Sequence, residues 1–311
     1  MTQYAIADLI VDSEFDLPEL TPPAGELQSR STLRVLARPP MFEPIAPVFE
    51  ARLDDGRAWM VCVRSDDAYV ICFPDLALFT VSFDGRSMAV HISNATCAET
   101  IRHLFLDQVL PLALSLRGQL VLHAAAIVTP AGAAAFVGDT GEGKSTLTAS
   151  FAQAGVPPLA DDCLIVRQRH SGIVAMTSYS GLRLWPDTVA ALAIDTAGAT
   201  SVAHYCDKQR VPGATAPFDV AVALCRIYVL AQDDQLRDGV TIETMSRRDA
   251  VVELLRHAYR IAPRDRDRAA DELDRIDRVC DVCAVKRLAY PRRFAALGTV
   301  RAAVLEDIAG V

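Results

Sequence analysis

The residues best equipped for chemistry are Gly138-Asp139-Thr140-Gly141-Glu142-Gly143-Lys144-Ser145. They match Gly-x-x-x-x-Gly-Lys-Ser in full, and the spacing has a mechanism. Glycines let the backbone wrap an anion with successive N–H groups pointing inward, and the helix that follows adds positive partial charge at its N-terminus. Lys144 brings a formal charge to the β- and γ-phosphates of a nucleotide, and the Ser145 hydroxyl is a Mg²⁺ ligand. Phosphate contacts are therefore expected along Gly138–Thr146. The context agrees: the apolar run Ala133–Val137 precedes the loop, and a helix from Lys144 to about Ala154 follows, stopped by Gly155 and Pro157-Pro158.

Phosphoryl chemistry needs a second acid to hold Mg²⁺ or activate the attacking group. In an open α/β sheet ligands gather at the carboxyl ends of strands. The strand after the loop helix should run parallel to the loop strand, and Val156–Ala160 ends in Asp161-Asp162. A rival pair, Asp233-Asp234, ends the apolar run Cys225–Ala231. Aspartate is also a turn residue. The first pair is favoured because it follows the loop helix in a short crossover.

His123 enters through register. Leu120–Val128, Thr129-Pro130-Ala131-Gly132 and Ala133–Val137 read as an antiparallel hairpin. With Thr129 opposite Gly132, His123 falls opposite Gly138, at the mouth of the loop. An imidazole there can donate to a transferring oxygen or to a catalytic carboxylate.

Further elements must position these groups. Residues 1–94 read as a β-rich module, with Ala58–Val63, Tyr69–Phe73, Leu78–Phe83 and Met88–Ile92 as strands between turn signals. Residues 95–311 read as the second domain. It opens on a helix with a capping box at Thr96-x-x-Glu99. Strands are expected near Cys163–Gln168, Gly172–Thr177, Cys225–Ala231 and Val240–Thr244, and helices near Arg248–Ile261, Arg266–Cys283 and Pro291–Glu306. Cys280 and Cys283 continue the apolar face of Leu273 and Ile276, which makes them packing thiols rather than a metal or redox pair. The fold class is α/β: a mixed sheet flanked by helices, with an N-terminal β module.

The 311 residues carry 31 basic and 39 acidic side chains, a net charge of −8, which argues against a nucleic-acid partner. No apolar run approaches the roughly 18 residues of a membrane span, and Met1-Thr2-Gln3-Tyr4 does not open a secretory signal. A cytoplasmic protein is expected. Its oligomeric state is open, a homo-oligomer included.

In combination these pieces resemble the C-terminal kinase domain of HPr kinase/phosphorylase. In that family a strand with His-Gly leads through a hairpin to Gly-Asp-Ser-Gly-x-Gly-Lys-Ser, then to a helix and Ala-Asp-Asp. The match runs over about residues 120–166, with Leu122-His123-Ala124 and Leu159-Ala160-Asp161-Asp162 at its ends. The resemblance implies a P-loop kinase core using ATP and Mg²⁺, with Asp161 as general base, Asp162 and Ser145 on the metal, Lys144 on the phosphates and His123 assisting. The adjacent aspartates leave the two carboxylate roles interchangeable. Ala124 replaces the family's glycine, and the first ninety residues do not resemble its regulatory domain. The whole-chain layout is closer to the related kinases that phosphorylate a serine on a lasso-peptide precursor.

Arg183, Lys208 and Arg210 are candidates for holding phosphate or a peptide carboxylate. The expected function is ATP-dependent phosphorylation of a serine hydroxyl on a peptide or protein. A small-metabolite kinase and a nucleotide-gated peptide-binding module stand as alternatives.

Overall fold

The computed structural model describes residues 1–25, 29–41, 46–93, 96–170, 172–212, 221–236, 239–261 and 265–310. The chain forms two compact units: residues 1–119 with 202–206 and 259–272, and residues 120–201 with 207–258 and 273–311. Among the described residues no helix is long and apolar enough to cross a membrane.

The first unit contains an eight-stranded sheet: β1 (Thr2–Ile6), β2 (Leu9–Ser13), β3 (Ser29–Val35), β4 (Phe49–Arg52), β5 (Ala58–Arg64), β6 (Ala68–Phe73), β7 (Ala77–Ser82) and β8 (Ser87–Ile92), in the order β1-β2-β3-β8-β7-β6-β5-β4. Its expected strands lie within a residue or two of those observed. Alternation sets the faces: Ala77, Phe79 and Val81 are buried along β7, and the residues between them are half-buried. The expected capping box at Thr96 does not form. The helix α1 (Ala98–Leu104) is capped by Cys97 without a side-chain bond, because the Thr96 hydroxyl donates instead to the Leu76 carbonyl, 2.8 Å away. A π-turn, Phe105–Val109, then leads into α2 (Leu110–Leu116). Pro111, in the first turn of α2, has no N–H to continue the ladder.

The second unit is built on a mixed sheet. β9 (Leu120–Leu122) pairs with β13 (Leu164–Arg169), and β10 (Ala124–Thr129) pairs with β11 (Gly132–Val137). The hairpin has the expected register, Thr129 opposite Gly132 through Ala124 opposite Val137. Gly132 is required at its turn: φ is +129°, and a Cβ would lie 2.4 Å from the Ala223 carbonyl oxygen. The single strand expected over Leu120–Val128 is two, however. It breaks at His123, whose N–H leaves the ladder for the His257 carbonyl at 2.7 Å.

Next come α3 (Lys144–Gln153), β12 (Pro158–Ala160), β14 (Gly172–Thr177), β15 (Leu182–Leu184), α4 (Pro186–Ala191), β16 (Thr200–Ala203), β17 (Cys206–Val211), β18 (Ala221–Gln232), β19 (Thr241–Thr244), α5 (Arg247–Arg256), α6 (Arg266–Val282), β20 (Ala284–Tyr290) and α7 (Leu297–Ala309). β12 is antiparallel to β10, and so runs in the direction of β11, as expected. β11, β18 and β20 are parallel neighbours. The sequence reading missed β15, β16, β17 and β20, carried α5 past its observed C-terminus, and began and ended α7 too early. Pro291 does not begin α7; a 3₁₀ turn, Phe294–Ala296, separates them.

Both faces of the hairpin are buried, which explains its alanine-rich strands. Ala124, Ala126, Ala133, Ala135 and Val137 pack with Leu254 of α5 and Ile276 and Val279 of α6. On the other face Ile127, Ala134 and Phe136 meet Leu147 and Phe151 of α3 and Val300 and Val304 of α7. Cys283 joins the first of these clusters and Cys280 packs against it, the packing role expected.

Asp307 ties α7 to the sheet. It accepts from Tyr228 Oη at 2.7 Å and Arg226 Nε at 3.3 Å, and it also pairs with the Lys286 ammonium. Asp307→Ala is expected to cost about 2 kcal/mol in chemical unfolding, because three polar partners lose one acceptor. Tyr228→Phe should cost about 1 kcal/mol. An Asp307→Ala variant as stable as wild type contradicts this anchoring.

Candidate functional site

The glycine loop connects β11 to α3, and its shape depends on Gly141 and Gly143 at φ +87° and +89°. Lys144 is buried and folds back over the loop. Its Nζ donates to the carbonyls of Gly138 at 2.7 Å and Asp139 at 3.1 Å. An ammonium has three donors, so two fix its position and the third remains for an anion in the loop. Glu142 braces the loop from within: its carboxylate accepts from the Asp139 N–H at 2.7 Å. Two arginines hold the rim, Arg256 on the Asp139 carboxylate at 3.2 Å and Arg292 on the Gly141 carbonyl. Thr146, at the start of α3, shares a 3.0 Å hydroxyl contact with Thr188.

β12 delivers the acids. Asp161 is buried and accepts from Ser145 Oγ at 2.8 Å through Oδ1 and from the Arg183 N–H at 2.8 Å through Oδ2. Asp162 follows with φ +64°, a left-handed conformation that aspartate tolerates better than most residues. That reversal turns its carboxylate to different neighbours. His123 Nε2 lies 3.3 Å from Oδ1, and the Arg183 guanidinium 3.4 Å from Oδ2. The side chain of Asp162 is 17% exposed, that of Asp161 not at all. Arg183 also donates to the Asp161 carbonyl at 3.0 Å and stacks on the Tyr179 ring, 4.5 Å from its centroid.

The electrostatics follow from burial and this pairing. Burial, then the neighbouring Asp162 charge, raises the Asp161 pKa to about 6 against Arg183 and Ser145, which lower it. Burial works on Asp162 in the same direction but is outweighed by the His123 hydrogen bond and the Arg183 charge, which hold it well below the usual carboxylate range. Burial lowers the Lys144 pKa, and the two aspartates oppose that shift. His257, whose carbonyl accepts from the His123 N–H, is buried and its pKa is pushed down to about 4, so its ring is neutral near pH 7.

Residues 138–146, Asp161, Asp162, His123 and Arg183 thus converge on one region. Arg210 lies opposite Arg183 in the β15–β17 pair and is buried, its guanidinium 5.9 Å from the Tyr179 centroid. Lys208 sits 5.4 Å from the centroid of the exposed Trp185 ring. The rival acid Asp233 follows β18, with its N–H on the Tyr290 carbonyl and its carboxylate turned to the Gln235 N–H, while Ser145 pairs with Asp161. Glu142, expected among the phosphate contacts, instead braces the loop through the Asp139 N–H, and sequence reasoning gave no role to Arg256, His257, Trp185, Tyr179 or Arg292. These five reach the site from distant elements, and no local spacing marks them.

Among the described residues no cluster of three His, Cys, Asp or Glu side chains forms a metal cage. The Ser145–Asp161 pair suits Mg²⁺ nonetheless. Mg²⁺ takes oxygen ligands, and beside phosphates it needs only one or two from protein.

No protein-family model and no curated protein matches the chain. Among solved structures it is similar to the Hpr(Ser) kinase/phosphatase from Coxiella burnetii at 12% sequence identity. That similarity covers 60% of this chain and 96% of the other with a TM-score of 0.31.

The raised Asp161 pKa has a consequence for stability. The folded value of about 6 exceeds the ordinary 3.8, so protonation favours the folded state. The associated stability is fully present below about pH 4 and is lost as pH rises through about 6. Asp161→Asn is therefore expected to raise the unfolding temperature relative to wild type at pH 8. The gain should vanish near pH 4, read by calorimetric unfolding at both pH values. A destabilised variant at pH 8 would mean that the ionised carboxylate is a net stabiliser.

Proposed function

We propose that the chain is an ATP-dependent kinase that transfers the γ-phosphoryl group to a serine hydroxyl on a peptide or protein, built on a P-loop core of the HPr-kinase type. The observation that carries this reading is the pairing of Ser145 with Asp161 beside the Lys144 loop, with a second, less buried carboxylate adjacent. Nucleotide-binding loops that only grip an anion have no need of that second acid.

The two carboxylates divide the work. Asp161 has both oxygens engaged by fixed donors and no exposed side-chain surface, so of the two carboxylates it is the less open to an acceptor hydroxyl. With Ser145 it would hold Mg²⁺, which supplies charge neutralisation on the β- and γ-phosphates when bound. Asp162 is the general base. Geometry takes precedence over pKa here: it is the carboxylate with access, and His123 and Arg183 hold it ionised and oriented. This exchanges the roles that the resemblance suggested, and differential burial supports the exchange.

In the transfer, Asp162 takes the proton from the serine hydroxyl as its oxygen bonds to the γ-phosphorus. The bond from that phosphorus to the β–γ bridging oxygen breaks, and ADP keeps the electron pair. Lys144 holds the chain in line and offsets the charge on the departing oxygen. Arg183 is a positioning residue that keeps two adjacent carboxylates compatible in one buried site. A serine acceptor needs such a base because its hydroxyl is a weak nucleophile near neutral pH.

Incubation with γ-labelled ATP, Mg²⁺ and serine-containing peptides, with mass spectrometry of the products, is expected to yield phosphoserine. Asp162→Asn should lower transfer about 10²–10⁴-fold while Mg²⁺-ATP affinity stays within about twofold. Asp161→Asn should weaken Mg²⁺-dependent nucleotide binding itself. Near-normal turnover in Asp162→Asn, with loss confined to Asp161→Asn, would restore the base to Asp161. Bound ATP with no acceptor modified by wild type would contradict the kinase.

A further inference from the structure

The region beyond the phosphate chain carries a second assignment. The carboxyl ends of the parallel strands β11, β18 and β20 lead into the glycine loop, Gln232-Asp233 and Tyr290–Arg293 respectively. The path across the sheet is β12-β10-β11-β18, with β20 also on β18. Asp161 and Asp162 follow β12, so they reach the loop from one side of β11. Tyr290–Arg293 follows β20 and reaches it from the other. A polyphosphate lying in the loop with its transferring end toward the acids therefore directs its opposite end toward Tyr290–Arg293.

That segment is fastened to the loop. Arg292 donates to the Gly141 carbonyl, and the Asp233 N–H donates to the Tyr290 carbonyl at 3.2 Å. Tyr290 is buried, its hydroxyl 3.7 Å from where a Cβ on Gly143 would stand. The Gly138 and Asp139 carbonyls hold the buried Lys144, whereas the Gly141 carbonyl holds Arg292, which is exposed at the rim of the loop. Arg292 is exposed, which leaves the planar face of its guanidinium open. Planar cations of this kind stack on aromatic rings.

We propose that Arg292, set on the Gly141 carbonyl, is the stacking surface for the nucleobase of the bound nucleoside triphosphate. The assignment rests on the nucleotide reading of the loop. It makes Arg292 a determinant of affinity for the nucleoside half of the ligand.

Calorimetric titration of the full chain with Mg²⁺-ATP and with Mg²⁺-tripolyphosphate separates the possibilities. Arg292→Ala is expected to weaken ATP about tenfold and to leave tripolyphosphate unchanged. Arg292→Lys keeps the charge and a donor for Gly141 but loses the plane, and should fall most of the way with alanine. Equal loss of both ligands in Arg292→Ala makes the residue a loop brace and overturns the proposal, as does no loss of either. Wild-type protein that binds tripolyphosphate and ATP equally also overturns it. Wild-type protein that binds neither removes the nucleotide reading itself, a failure distinct from that of the subsite. Arg292 is exposed, so its variants should keep the wild-type unfolding temperature.

Discussion

The second unit is organised around one buried ammonium. Removing the charge of Lys144 from water is costly unless fixed partners replace the lost hydration. The Gly138 and Asp139 carbonyls supply that replacement, and they are available only because the loop turns at left-handed glycines. The remaining compensation comes from the negative charges of Asp161 and Asp162. Loop shape, lysine burial and the position of β12 are thus a single condition. The small residues of β10 and β11 belong to it as well, since they bring α3 and α7 against one face of the hairpin and α5 and α6 against the other.

Two consecutive carboxylates in one site would repel if they shared an environment. The backbone separates them. Along a regular strand, neighbours simply alternate faces, but Asp162 adopts a positive φ just where β12 ends. Asp161 is left sealed between Ser145 and the Arg183 N–H, and Asp162 faces His123. Arg183 touches both residues and is itself buried on Tyr179. Strain and unbalanced charge gathered in this way are typical of sites that spend stability on chemistry.

Much of this was legible in the sequence because it is local. The loop spacing, the Thr129–Gly132 turn and the short crossover to Asp161-Asp162 each lie within a few tens of residues. The hairpin register carries His123 to the edge of the loop. What stayed hidden depends on partners far along the chain. The break at His123 comes from the His257 carbonyl, supplied by the end of α5. The capping box at Thr96 fails because Leu76 offers its hydroxyl another acceptor. β20 follows a strongly helical, charged stretch without a turn signal, so Tyr290 fell outside every expected element and Arg292 inside an expected helix that begins only at Leu297. Arg183 and Arg210, expected only as candidates for holding an anion, are both buried: each guanidinium lies by the Tyr179 ring, and Arg183 also pairs with the two aspartates.

The most direct measurement of this account is a calorimetric titration of Mg²⁺-ATP into wild-type protein and into Lys144→Ala. The account predicts one saturable site per chain in the wild type, weakened when Mg²⁺ is chelated, and no measurable binding in the variant. Equal binding by the two proteins, or none by the wild type, would contradict the central place given to the buried lysine.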